Sequence, residues 1–228
     1  MYAALDRPDI QFAAKTVMAD ASAPMNITEA RLKRLVRYMM AAPRVEWHFP
    51  VQKLPTTVVG YSDSDWAGDR STRRSTSGMI ITFGAHSIDA SSSTQACIAL
   101  SSGEAELYAM GKAAASTILA ANLLRELGVS AEPVVKSDSD AGRGMVRRIG
   151  AGRVRHLQLR ELWLQERVRE KQLRIERVDS EVNPSDIGTK YLDVGRIIKL
   201  MNSVNLKLSK GVKASGLACL EDLPLAGE

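Results

Sequence analysis

Acidic residues recur after extended runs in two parts of this 228-residue chain. GYSDSDWAGD carries Asp63 and Asp65, and VVKSDSDAGR carries Asp138 and Asp140. Each pair follows β-branched residues, Val58-Val59 or Val134-Val135, which favour strands. In an α/β sheet, functional groups gather at strand ends. Further acids fall where helices should start: Glu104 and Glu106 in GEAEL, and Asp186 in NPSDI. Carboxylates from two strand ends and two helix starts can surround hard divalent cations, which take oxygen ligands, waters and substrate phosphate. Two such ions about 4 Å apart clamp the attacking and leaving oxygens of a phosphodiester. Without metal the acids would repel one another at neutral pH. The chemistry implied is metal-assisted phosphodiester hydrolysis.

Each acid alone has a plainer explanation. Asp and Ser form turns after strands, and an acid in a first helical turn complements the helix dipole. Nor does periodicity choose within a pair. Strand alternation puts Asp63 and Asp65 on one side, and likewise Asp138 and Asp140. Position at the strand end favours the first of each. The two SDSD stretches are not a repeat, because a hairpin pattern follows the first and a helical pattern the second.

The elements that must position these acids can be read from the flanking patterns. Residues 1–50 read as helical pieces: RPDIQFAAKTVMA, a break at ASAPMN, and EARLKRLVRYMM with Thr28 as N-cap. In the second piece Leu32, Leu35, Val36, Met39 and Met40 make an apolar stripe opposite Arg31, Lys33, Arg34 and Arg37. From residue 51 the character changes. TTVVGYSD reads as a strand, SGMIITFGAHSIDAS as a hairpin turning near Gly84-Ala85, and STQACIALSS as an extended piece. A helix is predicted from Ser102 to Leu127, ending at Gly128, with Leu107, Met110, Ala114, Ile118, Ala121 and Leu124 on one face. EPVVKSD is a strand, GRGMVRRI a short helix, RHLQLRELWLQERVREK a longer helix, and LRIERVD a strand. NPSDIGTKYL opens a last helix, with Asn183 as N-cap and Pro184 in first position. The order β-β-β-α-β-α-α-β-α implies an α/β domain with a mixed sheet over residues 51–205. The 206–228 tail shows little periodicity and is expected to be partly disordered.

Composition fits a soluble globular chain, at 45% hydrophobic and 25% charged. The net charge is +5, a mild tilt toward polyanions. It is concentrated: residues 141–177 hold 11 Arg or Lys against 4 Glu, and Arg70, Arg73 and Arg74 form a second basic spot. Cys97 and Cys219 lie far apart, so neither a disulfide framework nor a zinc site is implied, and a reducing compartment is expected. There is no signal-peptide pattern and no apolar run of 18 residues, so no membrane partner is expected.

YSDSDWAGD, RRSTSG, ALSSGEAEL, KSDSDA and NPSDIGTKYL occur here in that order. Together they resemble the ribonuclease H domain of copia-type LTR retrotransposon Pol polyproteins, over about residues 55–195. RPDI…LKRLVRYM resembles the segment joining the reverse transcriptase to that domain, so 1–50 is read as a helical remnant of its thumb or connection. The resemblance implies a ribonuclease H-like mixed five-stranded sheet flanked by helices, with a helical N-terminal appendage. It also implies cleavage of the RNA strand of RNA–DNA hybrids. It assigns the metal-ligating and catalytic acids to Asp63, Glu106 rather than Glu104, Asp138 and Asp186, at spacings of 43, 32 and 48 residues. On this reading the cofactors are two Mg²⁺, with Mn²⁺ as an alternative. Asp63 bridges both ions, Glu106 and Asp138 hold one, and Asp186 helps hold the other, which activates water. The expected partners are an RNA–DNA hybrid and the remainder of the Pol polyprotein. The expected location is cytoplasmic, in a virus-like particle, or nuclear. Ser101, Ser102 and Gly103 are candidates to read the 2′-hydroxyl. Arg73, Arg74, Arg147 and Arg148 are candidates to track phosphates.

The chain also departs from the family pattern. Arg155-His156-Leu157-Gln158 stands where the family often has Lys-His-Ile-Asp. Asp89-Ala90-Ser91-Ser92-Ser93 replaces Ser-Trp-Ser-Ser-Lys, losing a phosphate-gripping lysine. Thr189-Lys190-Tyr191-Leu192 replaces Thr-Lys-Pro-Leu. No histidine lies in SEVNPSD, where a mobile histidine is common, and no polymerase motif is present. The alternative reading is therefore a catalytically inactive nucleic-acid-binding or scaffold domain of a decayed element. An integrase of the same superfold is disfavoured by the spacing of the acids.

Overall fold

The computed structural model describes residues 4–150, 152 and 159–209. The chain opens with α1 (Pro8–Ala19), α2 (Asn26–Ala41) and a short strand β1 (Val45–Trp47). A meander follows, β2 (Thr57–Asp65), β3 (Thr76–Phe83) and β4 (His86–Thr94). Then come α3 (Ser102–Glu126), β5 (Glu132–Ser137), α4 (Asp140–Arg147), α5 (Leu159–Arg169) and β6 (Arg174–Arg177). The chain continues through α6 (Val194–Ser203) to β7 (Leu206–Leu208). Five strands make one mixed sheet in the order β4-β3-β2-β5-β6. The β2–β3 and β3–β4 pairs are antiparallel, and β2–β5 and β5–β6 are parallel. The mixed five-stranded sheet, its flanking helices and the helical N-terminal segment are present as expected.

Alternation along the strands separates two cores. Met79 and Ile81 of β3 join Val58, Val135 and Ile175 under Leu107, Met110 and Ala114 of α3. Ile80 faces the other way, toward Ile187, Leu200, Met201, Val204 and Leu206. The predicted stripe of α3 is the buried one: Leu107, Met110, Ala114 and Ala121 are buried, and Ile118 and Leu124 pack at its margin. By length and composition α3 is apolar enough to cross a membrane, but it is the central core helix of this sheet. The hairpin turns at Gly84, in left-handed conformation (φ 60°), with Phe83 paired to His86.

Several elements differ from the sequence reading. Beyond Thr94, STQACIALSS leaves the sheet and forms bends, tied down where Gln95 donates to Ser77 Oγ and the Ala105 carbonyl, both at 2.9 Å. Thr28 is not the N-cap of α2. The helix starts at Asn26, and the Thr28 hydroxyl reaches back to accept the Met25 N–H at 3.2 Å. The apolar stripe of α2 divides, because Leu35 and Met39 pack inward around Tyr38 while Leu32, Val36 and Met40 are exposed. Residues 184–193 do not open an α-helix. Pro184–Gly188 is a 3-10 turn, and α6 begins later, capped by the Asp193 carboxylate on the Arg196 N–H at 2.8 Å.

The N-terminal segment is packed onto the sheet domain. Gln11 donates to the Ala90 carbonyl at 3.0 Å, and Lys15 Nζ lies 2.5 Å from Thr76 Oγ1. The segment drawn as an irregular tail from 206 begins with β7, which pairs antiparallel with β1. His156 and Gln158, and residues 210–228, lie outside the described residues.

Candidate metal centre

Asp63 lies near the end of β2, opposite Gly78 of β3. Asp138 follows the last residue of β5, the parallel neighbour of β2, so two adjacent strands deliver these acids to one sheet edge. Glu106 is on α3, above that edge. Its Oε1 accepts the Ser64 N–H at 3.3 Å, while Oε2 is buried with no hydrogen-bond partner among the described residues. One carboxylate oxygen from each of Asp63, Glu106 and Asp138 lies within 4.8 Å of the others. Asp63 is 4% exposed and Glu106 8% exposed.

This packing makes the acids hard to ionise. Burial pushes the Asp63 carboxyl up to about 7, with Asp186 and Asp138 adding to the shift and Lys190 and Thr189 opposing it. Burial, then the charges of Asp63 and Asp138, push Glu106 up to about 8. Burial also raises Asp138, with Asp186 adding to it and Lys190 and Arg143 opposing. A buried, unpartnered carboxylate oxygen facing two other acids is costly unless a cation joins them. The donor set is all oxygen, which fits Mg²⁺ or Mn²⁺.

The alternatives within each pair separate clearly. Glu104 is buried but fully employed: it accepts the Leu100 N–H at 2.9 Å through Oε2 and the Tyr108 hydroxyl through Oε1. Its own N–H donates to Ser101 Oγ at 3.2 Å, completing the start of α3. Asp140 is the first residue of α4, with a side chain 84% exposed and paired to Arg143. Ser139 caps that helix by accepting the Gly142 N–H at 3.0 Å. Asp65 is half-buried; its carboxyl is raised by burial and drawn down by Lys15 and Lys190.

Asp186 is brought near but not into the three-acid cluster. The turn that carries it is pinned beneath β2, because Asn183 Nδ2 donates to the Ser62 carbonyl at 3.1 Å and its Oδ1 accepts from the Ser185 hydroxyl at 2.6 Å. Lys190 Nζ lies 3.0 Å from Asp186 Oδ1 and 3.6 Å from Asp63 Oδ2. Arg196 lies 3.4 Å from Asp186 Oδ2. The Thr189 hydroxyl donates to Asp63 Oδ2. Burial works against the charge on Lys190, but Asp63 and Asp186 outweigh it and hold its pKa above the ordinary lysine value.

Gly78, Thr189 and Lys190 were not singled out as site residues from the sequence. All three stand in quoted motifs, RRSTSG and NPSDIGTKYL, so the signal was there without a role attached. The substrate-contact candidates divide. Arg73 and Arg74 are exposed on the β2–β3 loop, with Arg73 in left-handed conformation (φ 58°). Ser102 is exposed at the start of α3, but the Ser101 hydroxyl is used as the helix cap. Gly103 packs closely on α4, where an added Cβ would meet Ala141 and Met145 at 3.1 Å. Arg147, at the far end of α4, donates to the Ile175 carbonyl at 3.3 Å, and Arg148 is half-buried as the residue that ends α4.

No family model matches the chain. It is similar to the Retrovirus-related Pol polyprotein from transposon TNT 1-94 of Nicotiana tabacum, 31% identical over 199 residues, which is 84% of this chain and 14% of that protein. It is also similar to the Pol polyprotein from transposon RE1 of Arabidopsis thaliana, 30% identical over 196 residues, 84% of this chain and 13% of that one. The chain thus spans about one seventh of the length of these curated relatives. Among solved structures, LC11-RNase H1 isolated from compost aligns at 19% identity and a TM-score of 0.42, covering 59% of this chain and 93% of that one. With its ordered acidic motifs and some 30% identity across most of its length, the chain is a homologue of one segment of the copia-type retrovirus-related Pol polyproteins.

Proposed function

We propose that this segment is a divalent-metal-dependent ribonuclease H that hydrolyses the RNA strand of RNA–DNA hybrids within a reverse-transcription polyprotein. The observation that carries the reading is the convergence of Asp63, Glu106 and Asp138 from two strands and a helix, with Glu106 Oε2 buried and unpartnered. Relatedness to Pol polyproteins supports it.

Asp63, Glu106 and Asp138 would hold one Mg²⁺ or Mn²⁺, and Asp63 with Asp186 would hold a second. A bound divalent ion supplies Lewis acidity, lowering the pKa of a water and stabilising charge on the phosphodiester oxygens. The residues of the chain orient this chemistry. Ser64 N–H fixes one Glu106 oxygen, leaving the other to face the cluster. The Thr189 hydroxyl fixes the Asp63 carboxylate. Arg143 braces the end of β5 by donating to the Ser137 carbonyl at 2.6 Å, one residue before Asp138. Exposed Ser102 and the Arg73–Arg74 loop are the contacts offered to the hybrid, through its 2′-hydroxyls and phosphates.

The test is cleavage of an end-labelled RNA–DNA hybrid with Mg²⁺ by the purified chain and by Asp63→Asn, with duplex DNA as control. Cleavage of the RNA strand alone, lost in the variant, is the expected result. A second reading, an inactive hybrid-binding domain, is favoured by one observation: Lys190 and Arg196 stand within 3.0 and 3.4 Å of Asp186. Hybrid bound but uncut at every divalent-ion concentration would establish it instead.

A further inference from the structure

The four acids form two unequal groups. Asp63, Glu106 and Asp138 approach within 4.8 Å through one oxygen each, around the unpartnered Glu106 Oε2, and Glu106 is more than nine-tenths buried. Asp186 faces cations of the chain itself: Lys190 at 3.0 Å on one oxygen and Arg196 at 3.4 Å on the other. The same Lys190 ammonium stands 3.6 Å from Asp63. The Lys190 ammonium thus stands between Asp63 and Asp186.

The placement follows from the chain path. Gly188 lies against the backbone of Gly78, and the Lys190 N–H reaches the Asp186 carbonyl at 3.4 Å, so Lys190 leaves the turn directly above Asp63. Asp63 and Asp186 are buried, whereas the Lys190 side chain is 45% exposed. Its flexible stem enters from solvent, and it can withdraw without disturbing the core.

Charge balance gives this lysine a consequence. Four ionised carboxylates are neutralised by one divalent ion, Lys190 and Arg196 together. A second divalent ion would leave the site two charges positive while Lys190 stayed in place. A substrate phosphate would offset only part of that. We propose that Lys190 is a tethered cation that holds the Asp63–Asp186 gap in the metal-free protein and competes there with a second divalent ion. This rests on the metal-dependent reading above. Binding of a second ion there would require the half-exposed Lys190 side chain to leave the gap for solvent.

The test uses the full chain, with Mn²⁺ as probe. Free Mn²⁺ is followed by electron paramagnetic resonance, and thermal unfolding is followed with and without saturating Mn²⁺. The proteins compared are wild type, Lys190→Met, Lys190→Gln and Asp63→Asn. Wild type should show one strong site that depends on Asp63 and a much weaker second site. In Lys190→Met the second site should tighten about tenfold or more, as expected for removing a like charge within about 4 Å of the ion. The Mn²⁺-induced rise in Tm should also exceed that of wild type, and Lys190→Gln should behave the same way should the methionine variant fold poorly. A merely structural lysine would lower Tm equally with and without Mn²⁺; that result, with unchanged second-site affinity, overturns the proposal and leaves the metal-dependent reading standing. Absence of any Asp63-dependent Mn²⁺ binding overturns both.

Discussion

Gly78 and Ser185 approach so closely that a Cβ on residue 78 would lie 2.6 Å from the Ser185 carbonyl oxygen. Gly78 is also the cross-strand partner of Asp63. The missing side chain therefore lets the 184–190 turn lie on the sheet beside Asp63, bringing Thr189 and Lys190 to it. Gly78→Ala should force the turn away. Overpacking of this kind costs roughly 1–3 kcal/mol. The expected outcome is a lower denaturation midpoint together with loss of hybrid cleavage, whereas a substitution on the far sheet edge of equal stability cost should leave cleavage intact.

Asp63→Asn should separate activity from stability. Cleavage should fall by more than about 100-fold, the upper end of what losing a mere supporting partner of a metal site costs. The metal-free variant should nonetheless be more stable than wild type at pH 8, because a buried charge repelled by neighbouring acids is gone. Thermal melts in a chelator check this; a strong loss of metal-free stability would mean Asp63 serves the fold.

The raised carboxyls set a pH dependence for the metal-free protein. Asp63 at about 7 and Glu106 at about 8 both lie above the ordinary carboxylate range of about 4 that the unfolded chain has. Folding therefore takes up protons. The stability this contributes is fully present below about pH 4 and is lost as the pH rises through 7 to 8. Tm measured in a chelator should fall between pH 5 and 9, and saturating Mg²⁺ or Mn²⁺ should flatten or reverse that slope. A metal-free Tm that rises with pH over this range would contradict it.

The second aspartate of each SDSD stretch should be dispensable for chemistry. Asp140 is exposed at a helix start and Asp65 is outside the three-acid cluster. Asp65→Asn and Asp140→Asn should each keep cleavage within roughly threefold of wild type, and for the exposed Asp140 the stability change should be about 0.5 kcal/mol, as expected for a surface position. Single-turnover cleavage of the same hybrid is the measurement, and an inactive but folded Asp65→Asn protein would move the centre to the neighbouring acid.

Glu104 and Glu106 should part in the opposite way. Glu104→Ala leaves the Leu100 N–H and the Tyr108 hydroxyl without their acceptor. Unfolding should be easier by about 1–3 kcal/mol with Mn²⁺ affinity unchanged. Glu106→Gln should weaken Mn²⁺ binding with little loss of stability. Urea unfolding beside Mn²⁺ titration distinguishes the two.

Much of this molecule was determined by sequence-local physics. Helical spacing marked the apolar face of α3, Gly84 marked the hairpin turn, and Asn183-Pro184 marked where the segment carrying Asp186 starts, although it forms a 3-10 turn and not the α-helix expected. Expected position at the strand end favoured the first acid of each SDSD pair, but β2 runs on through Asp65, so what sets Asp63 apart is its place beside Glu106 and Asp138. Local patterns could not decide the rest. The choice between Glu104 and Glu106 depends on which carboxylate meets the cap of α3 and which reaches across to Ser64, contacts made by chain segments up to 42 residues apart. Lys190 is an ordinary exposed cation by composition. It becomes the partner of Asp63, 127 positions earlier in the sequence, only because Gly188 settles on Gly78. Periodicity reports which side of an element is apolar; it does not report which distant backbone comes close enough to set one charge beside another. At this sheet edge, only the tertiary structure decided that.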